Sequence, residues 1–188
     1  MKDIDTKCVQ SGYDPANGEA RLLPIYQSTT YKYDTSEEMG DLFDLKKDGY
    51  FYTRLANPTV AGLENRIAAL DGGGGAVGCA SGMAASTLAV MNVCHAGDNI
   101  VSSATIYGGT YNLFSTTLPK VGIECRFVEP FDKAEDIEKV IDEHTKVLFC
   151  ETIANPAMYV ADFEKWAKST GYCFLWTTLL PRLLFADR

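Results

Sequence analysis

The sequence predicts an α/β fold, in which a parallel β-sheet is covered by helices. Short apolar runs and amphipathic segments follow one another in strict turn between residues 76 and 168, an order typical of parallel sheets. Hydrophobic residues make up 46% of the 188 residues and charged residues 22%, which suits a globular chain with one sizeable core. No internal repeat or low-complexity linker divides the chain.

Charge and hydropathy exclude several classes of partner. The formal net charge of −8 argues against binding to nucleic acid or to an anionic membrane surface. No apolar run reaches the roughly 20 residues that a membrane-spanning helix needs. The first residues, "MKDIDTKCVQ", contain no apolar signal segment, so we expect a cytoplasmic protein.

The cysteines are read as reduced structural thiols. They are far apart, and no C-x-x-C motif joins any two of them. The chain has only 2 histidines, so the sequence predicts no zinc or other metal site. The six residues are Cys8, Cys79, Cys94, Cys125, Cys150 and Cys173.

The sequence predicts a loop-rich arm followed by alternating helices and strands. Residues 1–55 are expected to form an extended, loop-rich arm, and residues 56–168 the helix-and-sheet region. "PTVAGLENRIAAL" predicts a helix that begins at Pro58, with apolar residues at helical spacing. Strands are predicted at "AVGCA", "NIVSS", "IECRFVE" and "KVLFCE". Helices are predicted at "SGMAASTLAVMNVC", "GGTYNLFSTTL", "KAEDIEKVID" and "ADFEKWAK".

A glycine run offers a dinucleotide-binding fingerprint, which we reject. Gly73, Gly75 and Gly78 fit G-x-G-x-x-G. That motif requires a strand before it and a helix after it, whereas here the predicted helix comes first. The run is interpreted as a flexible turn.

The segment "CASGMAAS" is a candidate phosphate site. A predicted strand runs into Ser81 and Gly82, and a helix begins near Met83. Small residues allow backbone N–H groups to converge, and the positive end of the helix dipole favours an anion. An ordinary tight turn between strand and helix remains an equal alternative.

Two further candidates follow predicted strands at their carboxyl ends, where open α/β sheets bind ligands. Tyr107, in "SSATIYGGTYNLF", could stack on a flat ring, or it could cap the sheet as a core tyrosine. Asn155, in "ETIANP", could hydrogen-bond a ring substituent, or it could belong to a simple Asn-Pro turn.

"YTR" places a phenol and a guanidinium two residues apart, at Tyr52 and Arg54. On an extended segment both side chains would lie on the same face, and a guanidinium can bind a phosphate through two hydrogen bonds. The alternative is an exposed tyrosine beside a surface arginine.

Taken together, the motifs resemble the Cys/Met-metabolism enzymes that use pyridoxal phosphate. The resemblance is carried by "PIYQSTTYKYD", "YTRLANPTVAGLENRIAALDGG", "ASGMAAS", "AGDNIVSSATIYGGTYNLF" and "ETIANP". Within that family it is greatest to the O-acetylhomoserine sulfhydrylases. It implies part of the large domain of a type I, aspartate-aminotransferase-like enzyme, with an incomplete sheet.

The activity implied by this resemblance is a transferase reaction of methionine and cysteine biosynthesis. The aminocarboxypropyl group of O-acetylhomoserine would be transferred to sulfide with pyridoxal 5′-phosphate as cofactor. Cystathionine γ-synthase or γ-lyase is an alternative within the enzymes. A non-catalytic module that binds phosphorylated ligands through "ASGM" is an alternative of another class.

The resemblance also implies roles for the candidate residues. Ser81 and the backbone N–H groups of Gly82 and Met83 would hold the cofactor phosphate. Tyr107 would stack on the pyridine ring, and Asn155 would hydrogen-bond near its 3-hydroxyl. Met83 stands where many relatives have glutamine, a difference that a backbone contact tolerates.

Tyr52 and Arg54 are implied to reach the phosphate of a neighbouring subunit. The resemblance therefore implies a homo-oligomer in which two chains build each active site. Neither the acceptor thiol nor the size of the oligomer follows from the sequence.

Two groups that the family's chemistry needs have no counterpart in this sequence. These are the lysine that forms a Schiff base with the cofactor and the aspartate that contacts the pyridine nitrogen. Lys165 and Lys168 lie on a predicted surface helix and match neither motif. No catalytic residue is therefore assigned to the chain, which we expect to be inactive.

Residues 169–188 are interpreted as an aberrant tail, read in the wrong frame from a point between Lys168 and Gly171. In relatives the aspartate lies in a "VDNTFATP" stretch. Trp176 has the single codon TGG, and every codon for Thr177 begins with AC. In the shifted frame, the last base of the first codon and the first two bases of the second therefore read GAC, which encodes aspartate. The shifted codons of residues 175–183 permit the whole stretch. A sequencing error would leave the same trace as a true frameshift.

Overall fold

The computed structural model describes residues 3–129, 132–168, 173–177 and 183–186. The chain divides into two compact units, Met1–Gly78 and Cys79–Arg188. Among the described residues, no helix combines the length and apolar character needed to cross a membrane.

Over residues 3–78, the first unit contains three helices, α1 (Ile4–Gln10), α2 (Ser36–Phe43) and α3 (Pro58–Asp71). Helix α3 confirms the helix predicted from "PTVAGLENRIAAL". The side chain of Asn57 caps its first turn by accepting the N–H of Thr59 at 2.9 Å. Gly72 ends the helix in the left-handed conformation, with φ of 70°, which costs glycine little.

Helices α1 and α2 lie in the arm that we expected to be loop-rich. Each begins at a capping side chain, and in α2 the hydroxyl of Thr35 accepts the N–H of Glu38 at 3.2 Å. A threonine followed by glutamate three residues later is a helix-start signal. This signal in the sequence could have predicted α2.

The second unit contains four helices and five strands among the described residues. The helices are α4 (Gly82–Val93), α5 (Gly108–Asn112), α6 (Ala134–Lys139) and α7 (Phe163–Lys168). A π-turn over Leu113–Thr117 and a 3₁₀ turn over Leu118–Val121 continue α5. The strands are β1 (Asn99–Ser103), β2 (Glu124–Val128), β3 (Thr145–Glu151), β4 (Cys173–Thr177) and β5 (Leu183–Ala186).

The strands form one sheet in the order β2-β1-β3-β4-β5. The pairings from β2 to β4 are parallel, and β5 pairs antiparallel with β4. This confirms the predicted α/β class with a parallel sheet. Strand β1 is buried along its whole length, which is typical of a strand covered on both faces.

Alternate residues of the central strands enter two separate cores. Ile100, Val147 and Phe149 pack on one face with residues of α4 and of the α5 region. Val101, Leu148 and Cys150 pack on the other face with residues of α6 and α7, including Trp166. Helix α7, which carries Lys165 and Lys168, therefore lies on the opposite face from α4 and α5.

The strand predicted at "AVGCA" is wrong. Residues 76–80 do not belong to a strand, and the side chain of Val77 is 82% exposed. A short apolar run becomes a strand only where a neighbouring strand completes its hydrogen bonds, and the sequence pattern carries no information about that neighbour. Helix α4 is therefore entered from an irregular segment.

Strands β4 and β5 run through the segment that the sequence sets apart as a tail. Residues 169–172, 178–182 and 187–188 of that segment lie outside the described residues. The backbone of β4 continues the parallel sheet next to β3, with Leu148 opposite Phe174. The origin of the tail stays a prediction.

Candidate cofactor-binding site

Two of the candidate residues follow neighbouring strands at the same edge of the sheet. Strands β1 and β3 are parallel neighbours, with Ser102 opposite Phe149. Tyr107 lies in the loop after β1, and Asn155 lies in the loop after β3. Since carboxyl ends of parallel strands meet at one edge, the two loops lie side by side, as the sequence predicts.

The backbone and the ring of Tyr107 are each constrained by a neighbour. Its N–H donates a hydrogen bond to Oε1 of Glu151 at 2.9 Å. A Cβ atom added at Gly109 would lie 2.4 Å from Cε1 of the tyrosine ring. The ring therefore occupies the space that a side chain at position 109 would need. The side chain is 50% exposed, which leaves ring surface open to a ligand.

The first turn of α4 supplies the anion-binding features expected of it. Ser81 has an extended backbone, and its hydroxyl oxygen accepts the N–H of Ala84 at 3.1 Å. The N–H groups of Gly82 and Met83 belong to the first turn, where no intrahelical acceptor exists. Together with the helix dipole they form a positive end suited to a phosphate.

A contact inside the second unit places this helix end beside the Tyr107 loop. The hydroxyl of Thr110, in the first turn of α5, donates to the sulfur of Met83 at 3.8 Å. The first turns of α4 and α5 are therefore adjacent. The structure thus brings the Ser81–Met83 turn, Tyr107 and Asn155 to one place.

Glu151 is the residue of this site that sequence reasoning missed. It ends β3, accepts the backbone N–H of Tyr107 and lies close to the backbone N–H of Asn155. Burial raises its pKa above the ordinary value, and the two N–H groups act in the opposite direction. The signal was a charged residue placed directly after the apolar run "KVLFC".

Tyr52 and Arg54 lie together in the first unit. The Cζ atom of Arg54 is 5.1 Å from the centroid of the Tyr52 ring, within the range of a cation–π contact. The extended segment assumed from the sequence is wrong, because the N–H groups of Leu55 and Ala56 both donate to the carbonyl of Tyr52 and form a turn. The turn, rather than strand alternation, brings the two side chains together.

Asn57 holds this turn in place. Its side chain is buried, and Nδ2, with two N–H groups, lies within hydrogen-bonding distance of three acceptors: the carbonyl of Tyr26 at 3.0 Å, Oγ1 of Thr53 at 3.1 Å and the hydroxyl of Tyr31 at 3.1 Å. The backbone of Tyr52 also forms an antiparallel bridge with Thr30. The arginine therefore projects from a fixed backbone.

The donor set of the second unit fits a flat, phosphorylated ring. The N-terminus of α4 offers N–H groups to an anion, the open face of Tyr107 offers a stacking surface, and the exposed amide of Asn155 offers a polar contact. These three features differ in chemistry and lie next to one another. Pyridoxal phosphate combines an anionic group, an aromatic ring and a ring hydroxyl.

The sequence matches a known enzyme family over most of its length. The profile of the Cys/Met metabolism PLP-dependent enzymes matches residues 5–172. The homocysteine/cysteine synthase of Saccharomyces cerevisiae is 48% identical over 165 residues, which cover 86% of this chain and 37% of that protein. An O-acetyl-L-homoserine sulfhydrylase of Thermus thermophilus is 42% identical over 167 residues, covering 88% of this chain and 40% of its own length.

Solved structures of similar sequence share the fold. A Campylobacter jejuni protein assigned as O-acetylhomoserine (thiol)-lyase, whose structure contains a pyridoxyl-lysine phosphate, superposes with a TM-score of 0.86 at 36% identity. That match covers 94% of this chain and 44% of the other. The MetB protein of Corynebacterium glutamicum superposes with a TM-score of 0.82 at 33% identity, over 95% of this chain and 45% of its own.

The chain spans about two fifths of the length of the relatives it matches. Within that part, the fold is that of the solved relatives, and the family profile covers both units. The chain belongs to the Cys/Met metabolism family of pyridoxal-phosphate-dependent enzymes.

Proposed function

We propose that this chain is part of an enzyme that transfers the aminocarboxypropyl group of O-acetylhomoserine to sulfide. The proposal is supported by the sulfhydrylases and homocysteine synthases among its relatives. The structural observation that supports it is that the Tyr107 loop contacts the first turn of α4, through Thr110, and the end of β3, through Glu151. The cofactor that belongs there is pyridoxal phosphate.

The first turn of α4 is proposed to bind the phosphate. The N–H groups of Gly82 and Met83 would donate to its oxygens, and the hydroxyl of Ser81 keeps the turn in shape through Ala84. Hydrogen bonds to a charged acceptor are about twice as strong as those between neutral groups. The phosphate would thus fix one end of the cofactor.

Tyr107 and Asn155 are proposed to orient the ring. The exposed face of Tyr107 would stack on the pyridine, and the amide of Asn155 would hydrogen-bond near the 3-hydroxyl. When bound, pyridoxal phosphate supplies an electron sink that stabilises carbanions on the amino-acid substrate. The contribution of these residues is to hold the ring in one plane and at one angle.

Tyr52 and Arg54 are proposed to act in a homo-oligomer, on the phosphate held by a partner subunit. The exposed guanidinium is a suitable group for a phosphate. Apolar side chains that follow it in the chain are also exposed: Leu55 by 65%, Val60 by 44% and Leu63 by 58%. Such a surface favours burial against another chain.

We propose that the matched residues hold the cofactor by noncovalent contacts alone. Helix α7, with Lys165 and Lys168, packs on the sheet face opposite α4 and α5, and neither lysine matches the family's lysine motif. The tail, residues 169–188, is proposed to be translated in the wrong reading frame. Sequencing the gene across codons 168–183 tests this, because third bases that do not spell the shifted stretch overturn it.

The test of the proposed function has two steps. First, the 188-residue chain is titrated with pyridoxal phosphate, and saturable binding that disappears in Tyr107→Ala is expected. Second, the frame-restored protein is assayed with O-acetylhomoserine and either sulfide or cysteine. Faster reaction with sulfide supports the proposal, whereas preference for cysteine indicates a cystathionine synthase.

The cytoplasm is the proposed location of the enzyme. Its support is the reading of the cysteines as reduced thiols, since a reducing compartment keeps thiols in that state. Fractionation of cells that produce the tagged protein tests the location. Recovery in a secreted fraction contradicts it.

A further inference from the structure

The carboxylate of Glu151 connects the two loops that carry Tyr107 and Asn155. It accepts the N–H of Tyr107 at 2.9 Å, and that residue lies 44 positions away in the chain. The N–H of Asn155, four residues after it, faces the same carboxylate and lowers its pKa. One side chain therefore approaches the backbone of both residues proposed to touch the cofactor ring.

The direction of the side chain follows from the register of β3. Glu151 shares strand parity with Val147 and Phe149, which pack on the face covered by α4 and α5. Leu148 and Cys150 enter the opposite core. The carboxylate consequently lies on the face where the candidate site is built.

The carboxylate of Glu151 is half-buried. Burial raises its pKa, and the N–H groups of Tyr107 and Asn155 act in the opposite direction. Removing a charge from water is costly unless hydrogen bonds compensate it. Hydrogen bonds from two separate loops offset that cost while they hold the loops together.

We propose that Glu151 is a positioning residue, which sets the distance between Tyr107 and Asn155 so that both reach one flat ring. The inference rests on the proposed function for the identity of the ring, whereas the geometry is independent of that function. Glu151 itself takes no part in the reaction, and its effect is transmitted through the two backbone N–H groups.

The first experiment measures this geometry without any cofactor. Amide hydrogen exchange at Tyr107 and Asn155 is followed by NMR in the 188-residue chain and in two variants, Glu151→Ala and Glu143→Ala. The control residue precedes the other end of β3, and its side chain is 88% exposed. In Glu151→Ala both amides are expected to exchange about tenfold faster or more. Wild-type exchange at both amides in this variant overturns the proposal.

A conservative variant keeps the test valid if Glu151→Ala fails to fold. Glu151→Gln keeps an acceptor oxygen but removes the charge, and hydrogen bonds to a charged acceptor are about twice as strong as neutral ones. Protection of both amides is therefore expected to fall, by less than in Glu151→Ala. Equal protection of both amides in Glu151→Gln and wild type contradicts a role for the carboxylate.

The second experiment measures affinity for pyridoxal phosphate by fluorescence titration of the same variants. Glu151→Ala is expected to bind about tenfold more weakly, Glu151→Gln between it and wild type, and Glu143→Ala like wild type. If the wild-type chain binds no pyridoxal phosphate, the proposed function fails, and the exchange data still decide the role of Glu151. Normal affinity in Glu151→Ala, with its amides exchanging fast, overturns the positioning role.

Discussion

The hydroxyl of Thr110 donates to the sulfur of Met83 over 3.8 Å. This contact joins the first turn of α5 to the first turn of α4. It places the helix end that is suited to a phosphate next to the loop that carries Tyr107. The proposed site therefore depends on the packing of two helices on one face of the sheet.

Gly109→Ala is expected to weaken binding of pyridoxal phosphate. The added Cβ would lie 2.4 Å from the Tyr107 ring, so the ring must move from the position proposed for stacking. We expect a loss of about tenfold in affinity, equal to about 1.4 kcal/mol, measured by fluorescence titration.

Gly108→Ala is the matched control for that change. A Cβ at Gly108 would meet nothing within 4 Å, and both glycines lie in the first turn of α5. The helix-forming tendency of alanine is thus the same in both variants. Equal affinities of the two variants would show that the ring position does not matter.

Tyr107→Phe is expected to retain most of the affinity for pyridoxal phosphate, whereas Tyr107→Ala is expected to lose it. Stacking uses the ring face, which phenylalanine preserves, and aromatic pairs are worth about 0.5–1.5 kcal/mol beyond their buried area. The cofactor's absorbance and fluorescence report binding. A large loss in Tyr107→Phe would assign the role to the hydroxyl instead.

Ser81→Ala is expected to reduce both stability and affinity. The hydroxyl caps α4 through Ala84, and loss of such a cap costs about 1 kcal/mol. The same change would loosen the turn that holds the phosphate. Urea unfolding and cofactor titration measure the two effects.

Thr35→Ala separates these effects, because Thr35 caps α2 through Glu38 in the first unit. It is expected to lower stability by a similar amount and to leave the affinity for pyridoxal phosphate unchanged. A similar loss of affinity in both variants would attribute it to general destabilisation.

Acid is expected to destabilise the second unit through Asp142. Its carboxylate accepts a hydrogen bond from Nδ2 of Asn99 at 2.8 Å and forms an ion pair with Nη1 of Arg126 at 2.7 Å. These two contacts, in that order, hold its pKa below the ordinary value in the folded chain. The stabilisation is complete above the unfolded pKa and is lost as the pH falls through the lower, folded pKa.

The measurement is urea unfolding at a series of pH values from about 6 to about 3, around the ordinary carboxyl pKa. Asp142→Asn is expected to be less stable at pH 6 and to lose less stability on acidification than the wild type. Parallel pH profiles for the two proteins would exclude this carboxylate as a source of acid sensitivity.

Local sequence patterns predicted the elements whose own apolar residues mark them as buried. The runs "NIVSS" and "KVLFCE" became the buried central strands β1 and β3. Tyr107 and Asn155 could be placed at one edge because parallel strands end on the same side. The capping signal before α2 was present and was missed.

Contacts between distant segments could not be predicted in this way. The bond from Tyr107 to Glu151 depends on β1 and β3 being neighbours, although β2 lies between them in the chain. The exposed segment around Val77 illustrates the same limit of prediction, since an apolar run does not reveal whether another strand will lie beside it. The turn at Tyr52 also depends on a distant group, the side chain of Asn57.

The strand order has a consequence for where any ligand can enter. From β1 the chain passes through α5 on one face to β2, and from β3 it passes through α7 on the other face to β4, on the opposite side of the pair β1 and β3. The connections leaving β1 and β3 thus diverge toward opposite faces, at a topological switch point that opens a crevice between them. Because the winding of the chain creates this opening, substitutions in the surrounding side chains can change its chemistry without closing it.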